Sequence, residues 1–372
     1  MRYPSIDILR TLAIQVMVLV HFSENLSGLT LPFTGLGAPL FAFLSGVSYF
    51  LWVQGQQTRG RSDEEISKIS VRRGLFVFGV GIAFNVLVWF PEGTFNWDVL
   101  TFIGSALLVL NMVRGMPLPL IALLAATILF VSPALRIEAD YPAYWKNPYY
   151  DPDLTLSDVV SGYFVTGYFP IFPWLTFSLS GFVTASLLFF ADKDEDDVAQ
   201  KKNPVASQLP WPMIYAGLVM LSTSGLALAA RPYLPESIRQ SLLGGYTMFP
   251  TTIEYALAMI GMDMILLSLL HHFVDQNPKL ARRGPWLDIA KTFSQYSLTI
   301  YVLHHVVHLW PLWIYAVAQG EDDPMKYWMN ATNTPVSLGL ATVFLVCCFF
   351  LMRWIGPDRR LGIEAWMRWI CD

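Results

Sequence analysis

Charge is what this sequence has least of. Only 14% of its 372 residues are Asp, Glu, Lys or Arg, against 54% hydrophobic and 15% aromatic. A soluble chain carries roughly 25% charged residues, so this one lacks the polar side chains to clothe a fold of its size in water. A basic excess is missing as well. The formal net charge of −4 leaves no global positive field, which excludes the usual electrostatic footprint of a nucleic-acid binder. Cysteine is scarce: Cys347, Cys348 and Cys371 cannot build a disulfide framework, and none stands at zinc-ligand spacing from a second pair. No metal and no redox scaffold is therefore expected. The aromatic and aliphatic content excludes intrinsic disorder.

Long apolar runs are what the sequence has instead. A membrane-spanning helix needs about 20 mostly apolar residues at roughly 1.5 Å per residue. Ten such runs are bounded by charges, Pro or Gly, at about 6–25, 35–54, 72–91, 97–114, 117–135, 165–190, 211–230, 249–273, 293–317 and 335–355. Short connections between several of them predict antiparallel neighbours in one bundle. The expected fold is an all-α polytopic membrane protein, a single domain over 1–372 with ten transmembrane helices and no internal repeat. The first run carries Asp7, Arg10 and His21 and lacks a small-residue cleavage site, so it reads as a retained helix and not as a signal peptide.

Placing the Lys and Arg residues on alternate sides of the ten spans puts 19 of the 24 on the side of the termini. The positive-inside rule then predicts that both termini are cytoplasmic. The stretches 55–73 and 191–210, including the mixed-charge run Asp192 to Asp197, read as solvated cytoplasmic connectors. The outer loop 136–164 is rich in Tyr, Trp and Pro, which suits either a binding lid or an interfacial aromatic belt.

A titratable side chain at membrane depth is costly unless it faces a partner or a wet cavity, which makes each one a functional candidate. In the first run, Arg10 and His21 are eleven residues apart, about 20° past three full helical turns, so they share a face. Asp7 lies on the same stripe, three residues from Arg10 and able to pair with it. Arg10 as a snorkelling anchor and His21 as a packing histidine are the structural alternatives. In the ninth run, His304 and His308 share a face and His305 is rotated away; with no third ligand in view, a shared cavity is preferred to a metal site. Glu254 and Asp263 lie about 180° apart on one helix, so at most one serves a site. Asn85 and Asp98 are further polar residues of the spans, and His271 and His272, at the cytoplasmic end of their helix, read as carbonyl caps or headgroup contacts. Sequons at Asn25 and Asn330 are expected to face outward.

The opening SIDILRTLAIQVMVLVHF resembles the first helix of the transmembrane acyltransferase superfamily, whose signature is an Arg, ten residues and a His. Here those are Arg10 and His21. Ala38 to Trp52, Arg72 to Asn85, Trp89 to Gly104, Tyr168 to Gly181 and Tyr296 to His305 resemble, in order, segments of the heparan-alpha-glucosaminide N-acetyltransferase catalytic-domain family and its bacterial relatives. The closing Gly356 to Trp369 is similar to the tail of a related bacterial inner-membrane family, on the acyltransferase-3 side of the superfamily. Thr11 stands where many relatives have Gly or Ala, and the lysosomal branch is similar but carries Asn at the position of His21.

The resemblance implies an acyltransferase of the bacterial inner membrane that takes acyl-CoA, commonly acetyl-CoA, from the cytoplasm and modifies a saccharide or lipid-linked glycan outside. Arg10, Arg72 and Arg73 supply cations for CoA. His21 would act as general base or be acylated itself, with His304 or Glu254 orienting it and Ser45 or the backbone near Gly46 as oxyanion donors. The rival reading is a proton-coupled transporter or flippase, and a membrane scaffold is a third.

Overall fold

A chain in hydrocarbon must satisfy its backbone N–H and C=O groups internally, and a helix does so within each segment. The computed structural model describes residues 2–89, 94–146, 155–198, 209–277, 284–356 and 361–372, and these residues form helices and no strand. The helices are α1 (Pro4–Ser27), α2 (Gly37–Thr58), α3 (Asp63–Trp89), α4 (Val99–Val113), α5 (Leu118–Glu138), α6 (Tyr141–Tyr144), α7 (Leu156–Ser161), α8 (Ile171–Val198), α9 (Trp211–Ala230), α10 (Glu236–Ser241), α11 (Ile253–Leu270), α12 (Pro285–Gln295), α13 (Ser297–Ala318), α14 (Thr334–Ile355) and α15 (Ile363–Cys371). Among the described residues nine segments are long and apolar enough to cross a membrane, and α4 is a shorter apolar helix. All ten apolar runs of the sequence thus fall on helices, and the protein is an integral membrane protein of the polytopic helical class.

The stretches read as connectors are partly helical, since α2 runs to Thr58, α3 starts at Asp63 and α8 runs to Val198 through the Asp192 to Asp197 run; three further boundaries differ for a local reason. The side chain of Asp98 accepts hydrogen bonds from Leu100 N (3.1 Å) and Thr101 N (3.2 Å), so α4 starts one residue after this cap. The outer loop contains helix: Thr155 and Asp158 form a reciprocal capping box that starts α7. The ninth run is broken at Tyr296, whose φ of −117° and ψ of 25° separate α12 from α13. Residues 147–154 and the side chains of the Asp192 to Asp197 run lie outside the described residues.

The chain forms two compact units, residues 39–278 and residues 2–38 with 279–370. The larger unit packs α3 on α4, α5 on α8 and α9 on α11. Its α2 and α8 touch backbone to backbone: a Cβ on Gly46 would collide with the Ser178 carbonyl, and one on Gly181 with the Phe43 carbonyl. Small residues permit such approach where lipid offers no hydrophobic drive for helix association. The smaller unit is built around α1, which packs on α12, α13 and α14.

Candidate active site

Within the smaller unit, pairwise contacts fix how the helices run. Asn25 Nδ2 meets His308 Nε2 at 2.9 Å, and His21, one turn earlier, meets His304 and His305, so α1 and α13 run the same way. Ser27 meets Ser337 and Phe22 stacks near Phe344, so α14 runs opposite to α1. The far end of α1 is fixed by Met329 N and Thr332 N, which donate to the Asn25 and Leu26 carbonyls at 2.8 and 3.0 Å. Spans one, nine and ten therefore have the directions that consecutive crossings demand.

The site is a histidine cluster in the α1–α13 contact. The His21 ring centroid lies 5.3 Å from that of His304 and 4.7 Å from that of His305, and His304 and His305 are 4.0 Å apart. Tyr301 closes one side, its ring 5.6 Å from His304. His304 is fully buried and His305 nearly so, whereas His21 retains partial exposure. His304 Nδ1 lies 3.3 Å from the Ile300 carbonyl and His308 Nδ1 2.5 Å from the His304 carbonyl. A carbonyl only accepts, so in each ring Nδ1 carries the proton and Nε2 of the neutral ring is left with a lone pair. In His308 that lone pair accepts from Asn25; in His304 it has no hydrogen-bond partner among the described residues.

The sequence places His305 off the face shared by His304 and His308, and the structure brings it in. Neighbours on a helix diverge by about 100°. His21 sits over the line between His304 and His305, where both rings reach it. A histidine pair in the ninth run was the only signal available for this. The Asn25 sequon does not face outward: its side chain is buried on His308, so it is not available for modification in this fold. Asn330 is exposed.

Arg10 and His21 both turn toward the α12–α13 segment. The Arg10 guanidinium reaches Ser294 Oγ at 3.4 Å, near the end of α12. Asp7 takes a two-pronged pair from Arg2, with Nε–Oδ2 at 2.6 Å and Nη2–Oδ1 at 3.0 Å, a partner the helix spacing alone does not suggest. Thr11, the departure from the family pattern, donates to the Asp7 and Ala290 carbonyls and so ties α1 to α12.

The remaining sequence candidates belong to the larger unit. Glu254 is buried at the start of α11, where Oε1 accepts from Gly245 N at 3.0 Å and holds the preceding loop. Asp263 is fully buried, with neither oxygen hydrogen-bonded among the described residues. Ser45 Oγ bonds the Ala42 carbonyl (2.7 Å) and Ser178 Oγ (2.9 Å) at the α2–α8 contact, next to Gly46. Arg72 is exposed, and the Arg73 guanidinium lies 4.8 Å from the centroid of the Trp52 ring. Asn85 closes its loop by donating to the Thr94 carbonyl, and His271 Nδ1 and His272 Nδ1 meet the Asp275 carboxylate and the Gln276 side-chain oxygen. A cavity of about 580 Å³ opens between the end of α2, the start of α5 and the middle of α8, with Arg114, held by Asp63 at 2.7 Å, on its wall.

A polytopic helical protein with an Arg and a His on one face of its first span, and further histidines against that His, is of the membrane-enzyme type. The catalytic-domain model of heparan-alpha-glucosaminide N-acetyltransferase matches residues 2–217, more than half of the chain, and the chain belongs to that family. Membership makes it a membrane acetyltransferase of the general kind. The matched region includes Arg10 and His21 and stops before His304 and His305. No curated protein matches the chain.

Proposed function

We propose that the protein moves an acyl group, acetyl in the first instance, from cytoplasmic acyl-CoA to a hydroxyl or amine of a saccharide or lipid-linked glycan on the outer side of a bacterial inner membrane. The observation that carries this reading is the His21 ring set against His304 and His305 on the helix that also presents Arg10. Eleven residues of α1 separate the two, about 16 Å of rise, which is a length for an extended pantetheine arm to cover. Arg10 binds CoA phosphate, with Arg72 and Arg73 as further cytoplasmic cations. The Arg2–Asp7 pair steadies the first turn of α1.

In this reading the acceptor oxygen or nitrogen attacks the thioester carbonyl carbon while a ring nitrogen of His21 takes its proton. The tetrahedral intermediate breaks its C–S bond, and the imidazolium returns the proton to the CoA sulfur. His304 and His305 orient the His21 ring. General-base assistance contributes about 10²–10⁴-fold, so His21→Ala is expected to lower transfer from radiolabelled acetyl-CoA in isolated membranes by about that factor at unchanged protein level. Arg10→Ala is expected to raise the KM for acetyl-CoA. Wild-type transfer by His21→Ala would end the proposal.

A further inference from the structure

The geometry points to a metal site: we propose that His21, His304 and His305 bind one divalent transition-metal ion of the zinc class. Their ligand-capable ring nitrogens all lie within 4.8 Å of one another. Three zinc-bound nitrogens at about 2.0–2.1 Å from the metal stand about 3.4 Å apart in a tetrahedral set, within reach of small rotations of these rings. The donor set is all imidazole, which suits zinc, nickel or copper and not magnesium or calcium.

Two independent observations place a ligand here. The His304 Nε2 lone pair is buried without a hydrogen-bond partner among the described residues, and an unsatisfied buried polar atom costs about 1–3 kcal/mol. On the opposite edge of that ring, Nδ1 faces the Ile300 carbonyl, the outer contact that fixes tautomer and aim in metal-ligating histidines. His308 is excluded from the set, because its Nδ1 is taken by the His304 carbonyl and its Nε2 by Asn25. Three ligands leave a fourth position open, and His21 is only partly buried.

The functional sign rests on the reading above. A His21 nitrogen bound to metal has no lone pair for the acceptor proton, so the metal-loaded and base-competent states exclude each other and zinc inhibits transfer. The test is zinc retention by the full-length protein in detergent, exposed to zinc sulfate, gel-filtered and analysed by elemental mass spectrometry. About one equivalent per chain is expected for wild type and for His308→Gln, and at least a fivefold loss for His304→Ala and His305→Ala. Cobalt(II) loading of the unmodified protein, read by the intense visible absorption of four-coordinate cobalt, tests the site without any variant. A wild-type protein that retains no zinc and shows no such band overturns the site, as do His304→Ala and His305→Ala proteins that retain zinc at the wild-type level. In the transfer assay zinc is expected to lower the rate at least tenfold, with recovery on EDTA. Zinc bound at one equivalent with transfer undiminished leaves the site standing and overturns His21 as the base. Loss of transfer in His21→Ala, with no zinc bound by the wild-type protein, does the reverse.

Discussion

At the residue scale the smaller unit is organised by polar side chains of α1 that find specific partners on the helices around it. Asn25 and His308 are both buried, and their 2.9 Å bond replaces water for each. Replacing Asn25 by Leu strands His308 Nε2, so a loss of about 1–3 kcal/mol is expected, read as a lower melting temperature in detergent. Asp263 is the opposite case. Its carboxyl is held in the interior of α11 without a hydrogen bond among the described residues, and a buried group in that state is destabilising. Asp263→Leu is expected to melt at a higher temperature than wild type in differential scanning fluorimetry. A lower melting temperature would mean that the carboxyl supports the fold.

At the scale of elements, α13 owes its start to a residue far along the chain. Glu364, at the beginning of α15, accepts from Leu298 N at 2.7 Å, Thr299 N at 3.0 Å and the Thr299 hydroxyl, capping a helix whose own flanking residue Tyr296 makes no side-chain cap. Losing a helix cap costs about 0.5–2 kcal/mol, and Glu364→Ala is expected to fall in that range. Burial raises the Glu364 carboxyl above its ordinary value, outweighing the hydrogen bonds that lower it. A raised folded-state value favours the protonated folded form. Its stabilisation is therefore complete below the unfolded value of about 4.3 and is lost as pH rises through the folded value. Glu364→Gln keeps the accepting oxygen and removes the titration, so its melting temperature is expected to lose that part of the pH dependence.

At the scale of the whole molecule, ten apolar helices and the placement of Lys and Arg predict that residues 59–62 face the cytoplasm and residues 321–330 face outward. Ser62→Cys and Asp323→Cys, in a background with Cys347, Cys348 and Cys371 replaced by Ser, are expected to react with an impermeant maleimide from opposite faces of sealed vesicles. Labelling of both from one face would remove the delivery route from inner donor to outer acceptor.

Much of this fold is legible in the chain because hydrocarbon imposes a length and a composition on each segment that crosses it. Run length alone located the nine described segments long and apolar enough to cross and the shorter α4, and the angular arithmetic of α1 placed Arg10 and His21 on one face. The boundaries at Asp98, Thr155 and Tyr296 depended on caps and a backbone break, which apolar periodicity does not encode. What a single helix cannot contain is the identity of the side chains on the facing one. The entry of His305 into the cluster, the burial of Asn25 on His308 and the packing of Glu254 and Ser45 within the larger unit were decided by tertiary packing. Helical period determines which residues share a stripe; only the docking of one helix on another determines what that stripe meets.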